Sequence, residues 1–504
     1  MTNARCGHRV GAVGWLVAAT VTLSTLEACS PRRDSRTAND SSSTVLRVGV
    51  AQLFLANPTQ GLRQLSGLLS LEGLARPDEN GRMQPWLAET WTASNGGRSL
   101  VVKLRPNVKF HDGSALDAAA VASVLPAALR SFMGPVFREV DSVKATNANT
   151  VEIAFTEVSP FLQEALEAPL QKPAATVVST GPFTVVSDST TDLRASADYY
   201  LGRPKIDRIH VETYPSVRTA WAEMLRDRLD MLWEVGSDAL DSMRNSSTIS
   251  LFTYTRHYQH VIVFNTQAPA LKSPEIRRAL NFAVDRAAIV RSALRDHGVA
   301  SSSPVAPRYW ALPRDSRQFN FDPQHAAELL GIGRRKTRPV QFTCLVAPDS
   351  AAERIALEVK QQLAAVGVDM SVQEASRDEI VRRAGNKEYE AAVTEVISGP
   401  TLLRPYLIWH SQGPINWGHF GSPSTDAALD RVRHAPSEDA YRQAVAGLQQ
   451  AFMDDPPAIF LAWSVSTRAV SKRFAVEAEE GRDVLSTIRL WRWTGPPQQA
   501  ASRN

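Results

Sequence analysis

The sequence predicts an α/β protein. Two observations carry this. Short segments with period-two apolar alternation, bounded by turn signals, recur between segments with helical spacing. The 504 residues, 43% apolar and 21% charged, also have ordinary globular composition, enough for two or three domains and a sizeable core.

The elements follow in order. The stretch "STVLRVGVAQ" places Val45, Val48 and Val50 in alternation and reads as a strand. "NGGRSLVVKLRPNVKFHDG" supplies a turn, a strand and a second turn. In "DAAAVASVLPAALRSF", Asp117 is placed to cap an Ala-rich helix that Pro126 would kink. "DSVKATNANTVEIAF" has the pattern of a hairpin, and "RIHVETYP", "LDMLWEV" and "HVIVFN" read as further short strands. "VRTAWAEMLRDRL" is amphipathic at helical spacing. Beyond Asn265 the helices lengthen. One is expected over "SPEIRRALNFAVDRAAIVRSAL", with Ser273 as its cap and Pro274 at its first position. Another ends at Gly367 and leads into the strand "VDMSVQEA". Two more helices and the buried strand "AIFLAW" complete the chain.

The N-terminus reads as a separate signal. Arg5 and Arg9 precede an uncharged stretch, Val10 to Leu26, too short and too diluted with Gly and Thr for a membrane span of roughly 20 residues. "LEAC", Leu26 to Cys29, resembles the lipobox of bacterial lipoproteins, in which the cysteine is lipidated; Glu27 is atypical of it. Residues 1–28 are therefore expected to be a signal peptide, Cys29 a lipid anchor, and the polar stretch 29–44 a flexible tether. Only Cys344 then remains, in the apolar run "VQFTCLVA", so no intramolecular disulfide is expected. The formal net charge of +4 is small and dispersed, which predicts no nucleic-acid partner. The basic run Gly333 to Arg338 reads as a solvated loop.

Six segments in order resemble the family 5 extracellular solute-binding proteins of bacterial ABC importers. They are Glu72 to Val121 (with "PWLAETW" and "VKFHDG"), "TGPF" at Thr180 to Phe183, and "DYYLGRPKIDRI" at Asp198 to Ile209. After these come Val263 to Val290, "FDPQHAAELL" at Phe321 to Leu330, and "HFGSPSTDAALDRVR" at His419 to Arg433. The resemblance implies a two-lobed, periplasmic-binding-protein-like fold with an extra subdomain, a discontinuous first lobe, a hinge and a ligand cleft between lobes. Lobe one would comprise 45–75, 175–262 and 456–504, with a subdomain at 76–174; lobe two would be 263–455.

Candidate chemistry gives no enzyme. In "KFHDG", His111 and Asp112 would point to opposite faces of a strand, while Asp-Gly is a preferred turn pair. His257 and His260 also face opposite ways on a strand, His410 and His419 lack a third ligand and read as solvated, and no metal site or cofactor is expected. G-x-S-x-G, H-E-x-x-H and P-loop patterns do not occur.

The resemblance also implies where a ligand sits. Peptide-binding relatives carry an acidic residue in "W-x-A-D-x-x-D-P"; the matching region here, Ala391 to Ser411, lacks both aspartates, with Ser398 and Gly399 near the first. Glu395 would replace the missing acid if it points into the cleft, and is otherwise a structural ion-pair partner. Tyr258, Trp310, Trp409 and Trp417 are aromatic candidates for its walls, although aromatic side chains more often fill cores. Arg404 or Arg308 is suited to a carboxylate. Asn416, before Trp417, matches a family position near the ligand. The implied protein is a monomeric, lipid-anchored, extracytoplasmic binding protein that passes an oligopeptide or peptide-like solute to an ABC permease and its ATPase. A metal chelate, a sugar or an antibiotic as ligand stays open, as does a regulatory or scaffolding role in the cell envelope.

Overall fold

Two long antiparallel strands, Ile249–Phe264 and Ala458–Ser471, form the centre of an eleven-stranded sheet in this computed structural model. It describes residues 43–51, 58–174, 176–186, 191–331 and 339–496. The expected signal peptide, Cys29, nearly all of the tether and the basic run at 333–338 lie outside these residues.

On one side of the central pair, Ala391–Ile397 joins Ile249–Phe264 antiparallel, then Gln341–Val346 and Asp369–Glu374 follow in parallel. On the other side, Met231–Leu232 joins Ala458–Ser471 antiparallel, and Val45–Ala51 and Arg208–Tyr214 continue in parallel. Asp192–Ala195 and Phe183–Val185 close that edge, and Gly298–Ala300 pairs with Ala458–Ser471 off the main path. The inner strands are buried on both faces and are correspondingly rich in Val, Ile and Phe: Val261, Ile262, Val263, Ile459, Phe460 and Leu461 are all buried.

The central pair is not regular along its length. Thr255 pairs with Val465 and Gln259 with Trp463, so residues 256–258 oppose Ser464 alone. Extra residues on one strand buckle it and redirect its side chains. Both long strands outrun the short ones expected at "HVIVFN" and "AIFLAW". The polar middle of the first, "TYTRHYQ", hid it, because Arg256 and Tyr258 face a cavity while Thr253, Tyr254 and Gln259 are held by hydrogen bonds to Thr467, Arg468 and Ser303.

A second, four-stranded antiparallel sheet comprises Ala88–Ser94, Ser99–Leu104, Thr150–Phe155 and Val140–Asn147. The last two form the expected hairpin. The Ala118–Met133 helix packs on this sheet through Val121, Leu125 and Leu129 against Leu100, Val102 and Ile153. The Asp117 carboxylate accepts from Ala120 N at 2.8 Å and caps the helix, which continues past Pro126. The same core takes in Leu403, Tyr406 and Trp409 from the Leu403–Trp409 helix, Leu429 and Val432 from Pro423–Arg433, and Phe452 from Glu438–Asp454.

Two buried carboxylates stitch this junction. Glu139 accepts from Arg433, through Nε at 3.2 Å and through the second guanidinium nitrogen. Glu164 accepts from Leu403 N at 2.8 Å, Leu402 N at 3.4 Å and the Tyr441 hydroxyl at 3.1 Å.

The helix expected from Ser273 through Leu294 is two: Pro274–Phe282 and Arg286–Ser292. Asp285 ends the first by capping the second, accepting from Ala288 N at 2.9 Å, while its own N–H donates to Gln362 Oε1 at 2.8 Å. Ser273 makes no side-chain cap; its hydroxyl donates to Glu275.

The "KFHDG" stretch is a turn. Asp112 accepts from Ser114 N and Lys172 Nζ, Gly113 has φ of +83°, and His111 Nε2 donates to Gly181 O at 2.9 Å. Gly181 belongs to "TGPF", and a Cβ there would lie 2.6 Å from the backbone of Ser70. The motif is thus a close backbone crossing.

Candidate functional site

A cavity of about 740 Å3 opens where the central strands buckle. Its volume falls in the range of small-ligand pockets, roughly 300–1,000 Å3. Arg256, Tyr258 and His260 reach it from Ile249–Phe264, Glu395 from the neighbouring Ala391–Ile397, and Ser464 and Ser466 from Ala458–Ser471.

The acids in this floor are already engaged. Glu395 stands directly across from His260 in the ladder. It accepts from the Ser464 hydroxyl and lies 3.4 Å from His260 Nε2. Burial pushes its carboxyl up, but His260, Arg256 and the Ser464 hydrogen bond outweigh that and hold it below the ordinary range, so it is ionised at neutral pH. Glu234 accepts from the Ser466 hydroxyl at 2.9 Å and pairs with Arg256 at 3.4 Å. Asp349 caps the Ser350–Ala365 helix by accepting from Ala351 N and Ala352 N. The Arg256 guanidinium lies 4.2 Å from the centroid of the Tyr258 ring.

Another part of the lining is apolar. Val381, Ile397, Ile415 and Trp417 are 36–46% exposed, and all four line the cavity. Large side chains left open inside a concavity mark a place for an apolar group. Arg404 also lines the cavity. Among the described residues its guanidinium has neither a hydrogen bond nor an ion pair; it lies over the Phe132 ring, 5.0 Å from the centroid.

Of the residues singled out in the sequence, the structure brings Tyr258, Glu395, Arg404 and Trp417 together, with Trp409 as a buried wall. Four others are placed away from the cavity. Ser398 is buried, and its hydroxyl donates to Gln259 Oε1 at 3.3 Å. Trp310 stacks on Tyr441 at 5.4 Å with Arg82 over its ring. Asn416 holds the turn that presents Trp417: its amide donates to Phe420 O at 2.7 Å and accepts from Phe420 N at 3.0 Å. Arg308 is exposed, 3.6 Å from Glu79. His410 and His419 are not solvated as expected. His410 is buried and stacked 4.7 Å from Tyr406, and His419 Nε2 donates to Ala384 O at 3.0 Å. Among the described residues, no three His, Cys, Asp or Glu side chains form a metal-binding group.

Arg256 and Glu234 were missed in the sequence. Arg256, Tyr258 and His260 follow one another at period two, and that alternation was the available signal.

Residues 82–416 match the sequence model of the family described as bacterial extracellular solute-binding proteins, family 5 middle. The chain belongs to this family. Family 5 proteins are the extracytoplasmic solute-binding components of ABC importers. The glutathione-binding protein GsiB of Pectobacterium atrosepticum is 26% identical over 505 residues, covering 91% of this chain and 94% of that one. NikZ from Campylobacter jejuni, solved in complex with Ni(L-His), superposes with a TM-score of 0.75 at 20% identity, over 89% of this chain and 99% of that one. The oligopeptide-binding protein AppA from Bacillus subtilis, solved with a nonapeptide, gives 0.71 at 19% identity, over 90% and 99%. The α/β fold is thus the two-lobed fold of family 5 binding proteins.

Proposed function

We propose that this protein is a lipid-anchored member of family 5 that captures a peptide or peptide-like solute in the 740 Å3 cavity and hands it to an ABC permease driven by its ATPase. The observation that carries this is the pairing, in one cavity, of an apolar wall with an Arg404 guanidinium that has no hydrogen-bond or ion-pair partner among the described residues. A peptide offers both complements, apolar side chains and a carboxylate. The names of GsiB and AppA point to the same chemistry in relatives. Glu395 serves less well as the anchor for a peptide ammonium, because Ser464 and His260 already satisfy it. Solute specificity therefore rests on Arg404, Trp417 and Tyr258 more than on an acid.

In this reading the lobes are those expected from the sequence: 45–75, 175–262 and 456–504 in one, with 76–174 as its subdomain, and 263–455 in the other. The protein works as a monomer, and ligand bridging both lobes favours the closed state. Native mass spectrometry of protein purified from its own host identifies the solute it carries. Adding that solute to stripped protein is expected to reduce the radius of gyration in X-ray scattering; an unchanged radius at saturation would rule out closure on a ligand.

Anchoring through Cys29 has its own test. Cys29→Ser is expected to abolish incorporation of labelled fatty acid and to move the protein from the membrane to the soluble fraction. Labelling at wild-type level in that variant removes the anchor from the proposal.

A further inference from the structure

Arg404 is the second residue of the Leu403–Trp409 helix, and residues 76–174 grip it and the chain leading to it at three points. The Phe132 ring, on the Ala118–Met133 helix, lies 5.0 Å from the Arg404 guanidinium. The buried Glu164 carboxyl accepts from Leu403 N at 2.8 Å and Leu402 N at 3.4 Å, the two peptide N–H groups just before Arg404. The Asp78–Gly81 turn abuts Pro400: Gly81 has φ of +81°, and a Cβ there would overlap both Pro400 O and the Tyr309 ring.

The last two points belong to one network. Asn80 O accepts from Trp310 N at 3.0 Å, and the Arg82 guanidinium lies 4.1 Å over the Trp310 ring. Trp310 stacks on Tyr441, 5.4 Å away and 11° from parallel, and the Tyr441 hydroxyl donates to Glu164 at 3.1 Å. Trp310 thus ties the turn at Pro400 to the carboxyl at Leu403 without reaching the first cavity. A free arginine side chain loses rotamer entropy when a ligand fixes it, so holding it in advance strengthens binding. We propose that Glu164, Gly81 and Trp310 are positioning residues that seat Arg404 against Phe132 and so pre-organise it for the solute. This rests on the reading of Arg404 as a solute contact and gives residues 76–174 a part in the site.

Phenylglyoxal, which modifies accessible guanidinium groups, reads the seat on the full chain, with the adduct at each arginine followed by peptide mass spectrometry. Arg404 reacts from its unseated state, so its rate follows the population of that state. Glu164→Leu, which removes the acceptor, and Gly81→Ala, which displaces Pro400, are each expected to raise that rate about threefold or more, the scale of one hydrogen bond. Trp310→Leu is expected to act in the same direction. Gly113→Ala is the control: Gly113 has φ of +83° in the same region, with nothing within 4 Å of a Cβ, so backbone strain is matched and no neighbour is pushed. It is expected to leave Arg404 at the wild-type rate. Arg277 and Arg286, both buried, are expected to stay protected in every variant. An unchanged Arg404 rate in Gly81→Ala, or in folded Glu164→Leu, overturns the seat. So does a rise matched by Gly113→Ala or shared by Arg277 and Arg286. Should Glu164→Leu not fold, Gly81→Ala and Trp310→Leu decide. No solute enters this measurement, so its failure leaves the solute reading to the scattering test, and an unchanged radius there leaves the seat standing.

Discussion

Replacing Arg433 by methionine is expected to cost about 3–5 kcal/mol of folding stability, the scale of breaking a buried ion pair by removing one partner. Arg433 is 3% exposed, and its guanidinium donates to both oxygens of Glu139 and to the Tyr406 hydroxyl. Methionine fills most of the volume but leaves Glu139 buried beside an apolar chain. His434, 3.7 Å from Glu139, compensates only in part. The pair also joins distant stretches, the Gly134–Glu139 turn under the four-stranded sheet and the Pro423–Arg433 helix. Guanidinium denaturation at constant slope measures the loss. The double replacement of Glu139 and Arg433 by methionine is expected to recover most of it, since no lone charge then remains. A single-variant loss below about 1 kcal/mol would show the pair to be solvated in solution.

The second large effect depends on pH. Glu164 is completely enclosed, and burial pushes its carboxyl from 4.5 to about 7 even though Leu403 N, Leu402 N, Tyr441 and Thr401 all favour its charged form. The folded state therefore holds a proton that the unfolded chain releases above pH 4.5. Stability from this group is complete below 4.5 and is lost as pH rises through 7, by about 3 kcal/mol in all. Glu164→Gln stays neutral throughout. The wild-type melting temperature is thus expected to fall relative to the variant's across this window. Thermal melts of both proteins at half-unit steps test it; a constant difference from pH 4.5 to 7.5 would mean that Glu164 titrates normally. Glu167, with its own carboxyl raised to about 7, adds to the wild-type slope but is common to both proteins.

What the sequence made legible was local. The Asp117 cap, the Val140–Phe155 hairpin and the Asp112–Gly113 turn each depend on residues within a few positions, and each holds. The break at Asp285 was also local: an N-cap residue stands inside an otherwise helical pattern. It was masked by apolar residues on both sides that keep helical spacing. The long central strands escaped notice for another reason. Apolar residues alternating with polar ones mark a half-buried strand, whereas at Arg256, Tyr258 and His260 the face toward the cavity is itself polar. In the site, Tyr258, Glu395, Arg404 and Trp417 came from family pattern and residue type. Trp310 answers to the same description, yet its partner Tyr441 is a stack formed across 131 positions. Glu139 and Arg433 are 294 positions apart, and nothing near either residue announces the other.

The shared sheet also bears on how the molecule can come apart. Strands that occupy the middle of an eleven-strand array belong to both flanking halves. Melting either half strips Val261, Ile262 and Val263, or Ile459, Phe460 and Leu461, of neighbours and leaves an open apolar edge. Neither half is therefore an autonomous fragment, although each carries parallel strands and helices of its own. Unfolding has to be cooperative across the whole sheet, and a truncated gene product ending before Ala458 would lack the strand on which both halves are hung.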